Sequence, residues 1–138
     1  MLGTMRIDPD DYSHQVSSGR SASLSHALGG WLYMLRRQKN TRIQAVISAL
    51  VLLAALSLQV DASGVAILIV MMTLVWMAEF MNAAVEAAVN LATTEFHPMA
   101  RVAKDAAAAA VLIGAVASVP VGLLILGPPL LVRLGLNP

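Results

Sequence analysis

The sequence has no cysteine and few charged residues, and both absences exclude classes of protein. Of its 138 residues only 12% are charged, nine basic and eight acidic, and the net charge is +1. The lack of cysteine excludes thiolate chemistry and Cys-ligated metals, and so small a net charge gives no field for binding nucleic acid. Hydrophobic residues make up 58% of the chain, against roughly 45–50% in average soluble proteins. We therefore interpret the chain as one integral membrane domain.

The N-terminal part of the chain is polar and rich in serine, which predicts a flexible tail over 1–23. It does not have the apolar segment of a signal peptide. From Leu24 onward, apolar residues recur at helical spacing and the segment ends in a basic cluster, which predicts an amphipathic helix over 24–40 lying in the membrane surface. Trp31 and Tyr33 suit a headgroup boundary. The alternative is a cytoplasmic extension of the first spanning helix.

Three stretches without charge follow, and each is close to the ~20 residues that cross a hydrocarbon core of ~30 Å. The helical pattern of the second stretch continues beyond Glu79 to about Leu91, so this helix is long and carries carboxylates. We predict an all-α integral membrane fold in which the domain over 24–138 has three transmembrane helices, over 42–60, 63–91 and 105–133.

The basic residues predict the orientation in the membrane. Four of them, between residues 36 and 42, precede the first spanning helix, and Arg101 and Lys104 lie between the second and third. Asp61 is alone in the opposite turn. Because basic loops stay in the cytoplasm, we expect a cytoplasmic N-terminus, a cytoplasmic 93–104 loop and an external C-terminus.

The second spanning helix carries ionisable residues, which are costly in a membrane and usually functional. Glu79, Asn82, Glu86 and Asn90 follow one another at steps of three, four and four, so they form one stripe on a helix. Such a face can bind a hard cation such as Mg²⁺ through carboxylate oxygens, or it can place one carboxylate as a general base. The alternative is an interhelical hydrogen-bond seam.

A polar loop and two charged residues follow this stripe. The loop contains Glu95 and His97, and Lys104 and Asp105 come next. Lys104 can meet phosphate oxygens as a point charge, or it can be an interfacial anchor. Metal-binding carboxylates, a base and a phosphate-binding cation together indicate phosphoryl transfer at the membrane boundary, with a lipid hydroxyl as acceptor. No Walker A loop is present in the sequence, and the spacing does not distinguish a kinase from a phosphatase.

Two runs of the sequence carry a resemblance to a known family. The run over 78–90, AEFMNAAVEAAVN, resembles the signature E-x-x-N-[ST]-A-[IV]-E-x-x-V-D of the prokaryotic diacylglycerol kinase and undecaprenol kinase family. The run over 95–105, followed by AAVL at 109–112, is similar to its E-[YF]-H-x-x-A-[KR]-x-A-K-D block. The segment over 27–43 also resembles the family, so the resemblance covers about 24–131.

The resemblance implies a lipid kinase of the bacterial inner membrane, usually a homotrimer with a surface helix and three spanning helices in each subunit. It implies transfer of the γ-phosphate of ATP to diacylglycerol or undecaprenol, with Mg²⁺ as cofactor. By position, Glu79 would be the catalytic base, and Glu86 and Gln38 would be magnesium ligands. The nucleotide-binding positions would be Asn82, Asn90, Glu95, His97, Lys104 and Asp105.

Three positions differ from the family pattern. Gln38 stands where many members have Glu, Asn90 where they have Asp, and Ala83 where they have Ser or Thr. A neutral amide is a weaker magnesium ligand than a carboxylate. The alternative function is therefore a catalytically degenerate subunit of a larger membrane complex. A small transporter that uses Glu79 and Glu86 is a third hypothesis.

Overall fold

The computed structural model describes residues 20–136, and within them it has four α-helices and no strand. The predicted all-α class is confirmed. Of the tail predicted over 1–23, residues 1–19 lie outside the described residues and 20–23 belong to the first helix. The helices are α1 (Arg20–Arg37), α2 (Lys39–Ser57), α3 (Ala62–Ala92) and α4 (Pro98–Arg133).

The chain divides into two compact units, one ending at Gln38 and the other beginning at Lys39. The first unit contains α1, whose apolar side chains at Leu24, Leu28 and Leu32 are exposed while Met34 is buried. That α1 lies in the membrane surface stays a prediction.

The second unit contains the three helices that are long and apolar enough to cross a membrane. They have 19, 31 and 36 residues, which correspond to about 28, 46 and 54 Å along the helix axis. A hydrocarbon core is ~30 Å thick. α2 therefore has just the length of the core, whereas α3 and α4 are too long for it and must extend beyond it.

At one side of the helices, the end of α4 lies close to the end of α2 and the start of α3. These contacts show at which side α3 and α4 extend beyond the membrane. The Arg133 guanidinium, at the end of α4, donates a hydrogen bond of 2.5 Å to the carbonyl oxygen of Ser57, at the end of α2. Asp61 caps the start of α3, since its carboxylate accepts a hydrogen bond from the Ser63 backbone N–H at 3.2 Å. Because α2, α3 and α4 share this end, the excess length of α3 and α4 lies at the opposite one.

Close packing at a glycine and a polar side-chain contact hold α3 to its neighbours. A Cβ atom added at Gly64 would lie 2.7 Å from Val60 Cγ1 and 3.1 Å from Ile125 Cγ2, so this position needs glycine. Farther along α3, the Trp76 indole N–H donates to Ser48 Oγ on α2 at 3.1 Å. Such contacts of small and polar residues are what hold helices together in lipid.

Several helix ends differ from the predicted bounds, and two of these differences have a local reason. α4 begins at Pro98 rather than at residue 105, because His97 caps the helix and Pro98 occupies its first turn, where a missing N–H costs nothing. α2 ends at Ser57 rather than at residue 60, because the chain turns at Gln59, whose φ is +54°.

Candidate functional site

Glu79 lies on α3 near the point where the helix has crossed the thickness of a membrane. It follows Ala62, the first residue of α3, by about 25 Å along the helix axis. The residue is buried, with 5% of its surface exposed. The Asn40 side chain on α2 donates a hydrogen bond to its carboxylate. The carboxylate is therefore held in place by a neutral partner and can still accept a proton.

Glu79 lines a cavity of about 460 Å³ whose walls come from α2, α3 and α4. Most of the wall is apolar, with residues such as Ile47, Val75 and Val119. The polar residues on α2 follow at every fourth position, so they lie on one face of that helix. An apolar cavity with a carboxylate at one end suits an alcohol attached to hydrocarbon. The polar lining residues besides Glu79 are Asn40, Gln44, Ser48 and Ser118.

The next two residues of the predicted stripe offer oxygen atoms to a cation. The Asn82 side-chain N–H donates to Glu86 Oε1 at 3.5 Å, and Glu86 is exposed. Asn82 Oδ1 is buried and has no hydrogen-bond partner within the described residues. Residues 20–136 contain no group of three His, Cys, Asp or Glu side chains that could hold a metal. Because Mg²⁺ usually takes one or two carboxylates plus substrate phosphates, Glu86 and Asn82 fit an ion that binds together with a nucleotide.

Gln38, the other predicted magnesium ligand, lies between α1 and α2. It is half-buried, and its backbone N–H donates to the Met34 carbonyl oxygen at 2.9 Å. Its assignment as a ligand stays a prediction.

A second cavity, of about 610 Å³, lies at the loop between α3 and α4, in the part of the hairpin that exceeds the membrane thickness. Loop residues and the first turns of α4 form most of its wall. The structure thus brings around one cavity five of the six residues predicted to bind nucleotide, while Asn82 lies farther along α3. The five are Asn90, Glu95, His97, Lys104 and Asp105.

Lys104 is the cation best placed in this second cavity. Its Nζ donates to Asn90 Oδ1 at 2.7 Å. Because Asn90 is neutral, this contact fixes the ammonium group without neutralising its charge. Asp105 instead faces Arg101 at 3.5 Å, and both side chains are about 70% exposed, so this ion pair contributes little. Lys104 is therefore free to bind an anion as a point charge.

His97 has a structural contact that the sequence analysis missed. Its Nδ1 accepts the Met99 backbone N–H at 3.2 Å and so caps α4. In the neutral ring this leaves Nε2 as the N–H donor. The Thr93 hydroxyl fixes the preceding turn, since it donates to the Glu95 carbonyl oxygen at 3.2 Å and accepts the Glu95 N–H at 3.1 Å. The position directly before Pro98 was the signal for the cap.

Asn40, Gln44 and Ser48 were also missed as site residues. Their i, i+4, i+8 spacing in the first spanning helix was the available signal, because it places all three on one helix face. That this face meets Glu79 depends on how α2 packs against α3.

Comparisons with known proteins show the family to which the chain is similar. The family model described as prokaryotic diacylglycerol kinase matches residues 25–126. The chain is 39% identical over 118 residues to a diacylglycerol kinase of Synechocystis sp., which covers 85% of this chain and 67% of that protein. It is 34% identical over 108 residues to the undecaprenol kinase of Bacillus subtilis, which covers 78% of this chain and 88% of that protein. The two relatives are named for different lipid alcohols.

Proposed function

The chain belongs to the prokaryotic diacylglycerol kinase family and is a lipid kinase of the membrane, and we propose that it transfers the γ-phosphate of ATP to a lipid hydroxyl, using Mg²⁺. The observation that carries the proposal is the position of Glu79. It is a buried carboxylate at one end of an apolar cavity. The phosphate-binding candidate Lys104 lies farther along the same helical hairpin.

Glu79 is the general base of this proposal. The lipid hydroxyl binds in the cavity with its O–H directed at the carboxylate. Its oxygen attacks the γ-phosphorus, its proton passes to Glu79, and the bond to the bridging oxygen breaks so that ADP leaves. Asn40 orients the carboxylate, since its side chain already donates to it. Because there is little covalent work for the protein in phosphoryl transfer, positioning and charge supply most of the catalysis.

The order of Glu79, Glu86 and Asn90 along α3 indicates how the bound nucleotide is oriented. Lys104 contacts Asn90, which follows Glu79 by about 16 Å along the helix axis, with Glu86 between them. We place the phosphate chain along this stripe, with Lys104 on phosphate and the γ-phosphate toward Glu79. Glu95, His97 and Asp105 line the same cavity as Lys104, and the nucleoside would bind beside them.

Glu86 and Asn82 are the residues that would hold Mg²⁺. The ion would neutralise phosphate charge, which is the contribution such ions make in kinases. The support is the exposed Glu86 carboxylate beside the unpartnered Asn82 Oδ1. The neutral Asn90 does not weigh against activity, because its oxygen is used to position Lys104.

We further propose a homotrimer in the bacterial inner membrane, with the N-terminus and the α3–α4 loop in the cytoplasm and the C-terminus outside. The absence of cysteine makes the orientation easy to test. In intact cells, a membrane-impermeant maleimide should label Leu136→Cys and spare Thr94→Cys. The reverse labelling would contradict the orientation, and native mass spectrometry of the purified protein gives the subunit number.

A direct assay tests the activity itself. Purified protein in detergent micelles is given ATP labelled in its γ-phosphate, with diacylglycerol and undecaprenol offered side by side. We expect a labelled lipid phosphate that requires Mg²⁺ and disappears with EDTA. If neither lipid is labelled and millimolar ATP does not bind, the proposal fails and a non-catalytic subunit becomes the better interpretation.

A further inference from the structure

The polar side chains of the first cavity differ in whether they have hydrogen-bond partners. Asn40 donates to Glu79, and the Ser118 hydroxyl donates to the Ala115 carbonyl oxygen at 2.7 Å. Ser48 Oγ accepts from Trp76 at 3.1 Å. Gln44 is different, because its Nε2 is buried and has no acceptor anywhere in residues 20–136. Among the polar residues that line this cavity, Gln44 is therefore the one with a buried N–H donor that no described residue accepts.

An amide N–H without an acceptor is costly in a membrane, because no water is present to replace the missing partner. Gln44 lines the cavity, and its terminal carboxamide rotates easily about its last side-chain bond. A small rotation therefore directs an N–H toward a molecule bound in the cavity. A molecule bound in the cavity can supply the acceptor that Gln44 lacks within the described residues.

The position of Gln44 indicates where on the bound molecule the acceptor lies. Gln44 is one turn from Asn40, about 6 Å along α2 and farther into the membrane. Asn40 is at the level of the Glu79 carboxylate, to which it donates. The ligand should thus have a hydroxyl at Glu79 and an oxygen acceptor a few bonds farther into the membrane.

We propose that Gln44 is a specificity-determining residue that donates a hydrogen bond to an ester carbonyl oxygen of the lipid acceptor, so that the enzyme prefers acylglycerols. In a diacylglycerol, an ester is attached to the carbon next to the one that carries the free hydroxyl. A polyprenol has only hydrocarbon beyond its hydroxyl, so its binding leaves the Gln44 N–H without a partner. This inference rests on the proposed lipid kinase activity and selects among its substrates.

The test compares three alcohols in micelles: dioleoylglycerol, its diether analogue, and undecaprenol. The diether has the same shape as the diester but no carbonyl oxygen. Wild-type protein should phosphorylate the diester with a kcat/KM about tenfold above that of the diether, which is the effect of one neutral hydrogen bond. It should also prefer the diester to undecaprenol.

The matched variants are Gln44→Met, which keeps the length of the side chain but removes its polarity, and Leu53→Met on the same helix. Leu53 is exposed and does not line the cavity. In Gln44→Met the diester should fall to the rate of the diether, whereas Leu53→Met should keep the wild-type ratio. Loss of the preference in both variants would mean a general effect of the substitution and would overturn the assignment.

The outcomes separate this inference from the proposed function. Equal rates for diester and diether in the wild type, or an unchanged ratio in Gln44→Met, overturn the role of Gln44 and leave the kinase standing. A wild-type preference for undecaprenol over the diester likewise overturns the role of Gln44 and leaves the kinase activity standing. If Gln44→Met does not fold, the wild-type rates on the three lipids decide. If no alcohol is phosphorylated, the proposed function fails, and the inference fails with it.

Discussion

The contact between Lys104 and Asn90 makes a quantitative prediction for nucleotide binding. Lys104→Met removes the ammonium group and keeps the apolar stem, and Asn90→Ala removes the oxygen that holds Nζ at 2.7 Å. In this account Asn90 contributes to nucleotide binding through Lys104. Asn90→Ala should therefore weaken binding in the wild type and have no further effect when Lys104 is already Met.

The magnitudes follow from the kind of contact. A hydrogen bond to a charged group contributes about 1.5–3 kcal/mol, so Lys104→Met should raise the nucleotide Kd by about ten- to 150-fold. Lys104 is half-buried, which favours the lower half of this range. Asn90→Ala leaves the charge in place but frees the side chain, and a loss of about 0.5–1.5 kcal/mol corresponds to about two- to twelvefold.

The assay is displacement of a fluorescent nucleotide from the four proteins of this double-mutant cycle, purified in the same detergent. Arg133→Met is the control, since it removes a basic residue at the other end of the helices. It should leave the Kd unchanged. If the effects of Asn90→Ala and Lys104→Met add within about 0.5 kcal/mol, Asn90 acts independently of Lys104 and the reasoning is refuted.

Substitutions at three further positions, His97 and Ser48 at the site and Gly64 at the opposite end of α3, test the structure by unfolding in detergent. His97→Ala should cost about 1 kcal/mol by removing the cap of α4, whereas His97→Asn should keep most of it; equal losses would contradict the cap. Ser48→Ala removes the hydroxyl that accepts the Trp76 indole N–H and should cost about 0.5–1.5 kcal/mol, the contribution of one hydrogen bond; no loss would mean that the hydrogen bond contributes nothing. Gly64→Ala should cost about 1–3 kcal/mol through overpacking, while Gly122→Ala, which meets no atom within 4 Å, should be neutral.

The fold class was predictable because the charges are few. Stretches without charge mark the spanning helices, and helical periodicity places Glu79, Asn82, Glu86 and Asn90 on one face. Such an argument could also predict the contacts from Asn82 to Glu86 and from Lys104 to Asn90, because the first is an i, i+4 pair and the second joins the two sides of a short loop.

The lipid cavity was not predictable in the same way. In water, an apolar stripe shows which face of a helix is buried, but lipid tails are as apolar as leucine, so this signal is absent in a membrane. Periodicity therefore could not show that α2 turns Asn40 and Gln44 toward Glu79. The cap at His97 was missed for another reason, since the third transmembrane span was placed at 105–133 from the stretch without charge, whereas the helix itself begins at Pro98.

The most direct test of the central claim is single-turnover transfer of the labelled γ-phosphate by Glu79→Gln. The amide keeps the shape of the side chain and can still accept the hydrogen bond from Asn40, but it cannot take a proton from the lipid hydroxyl. Because a general base contributes about 10²–10⁴-fold, the rate should fall by at least about 100-fold while the nucleotide Kd stays at the wild-type value. Transfer at close to the wild-type rate would contradict the assignment of Glu79 as the base.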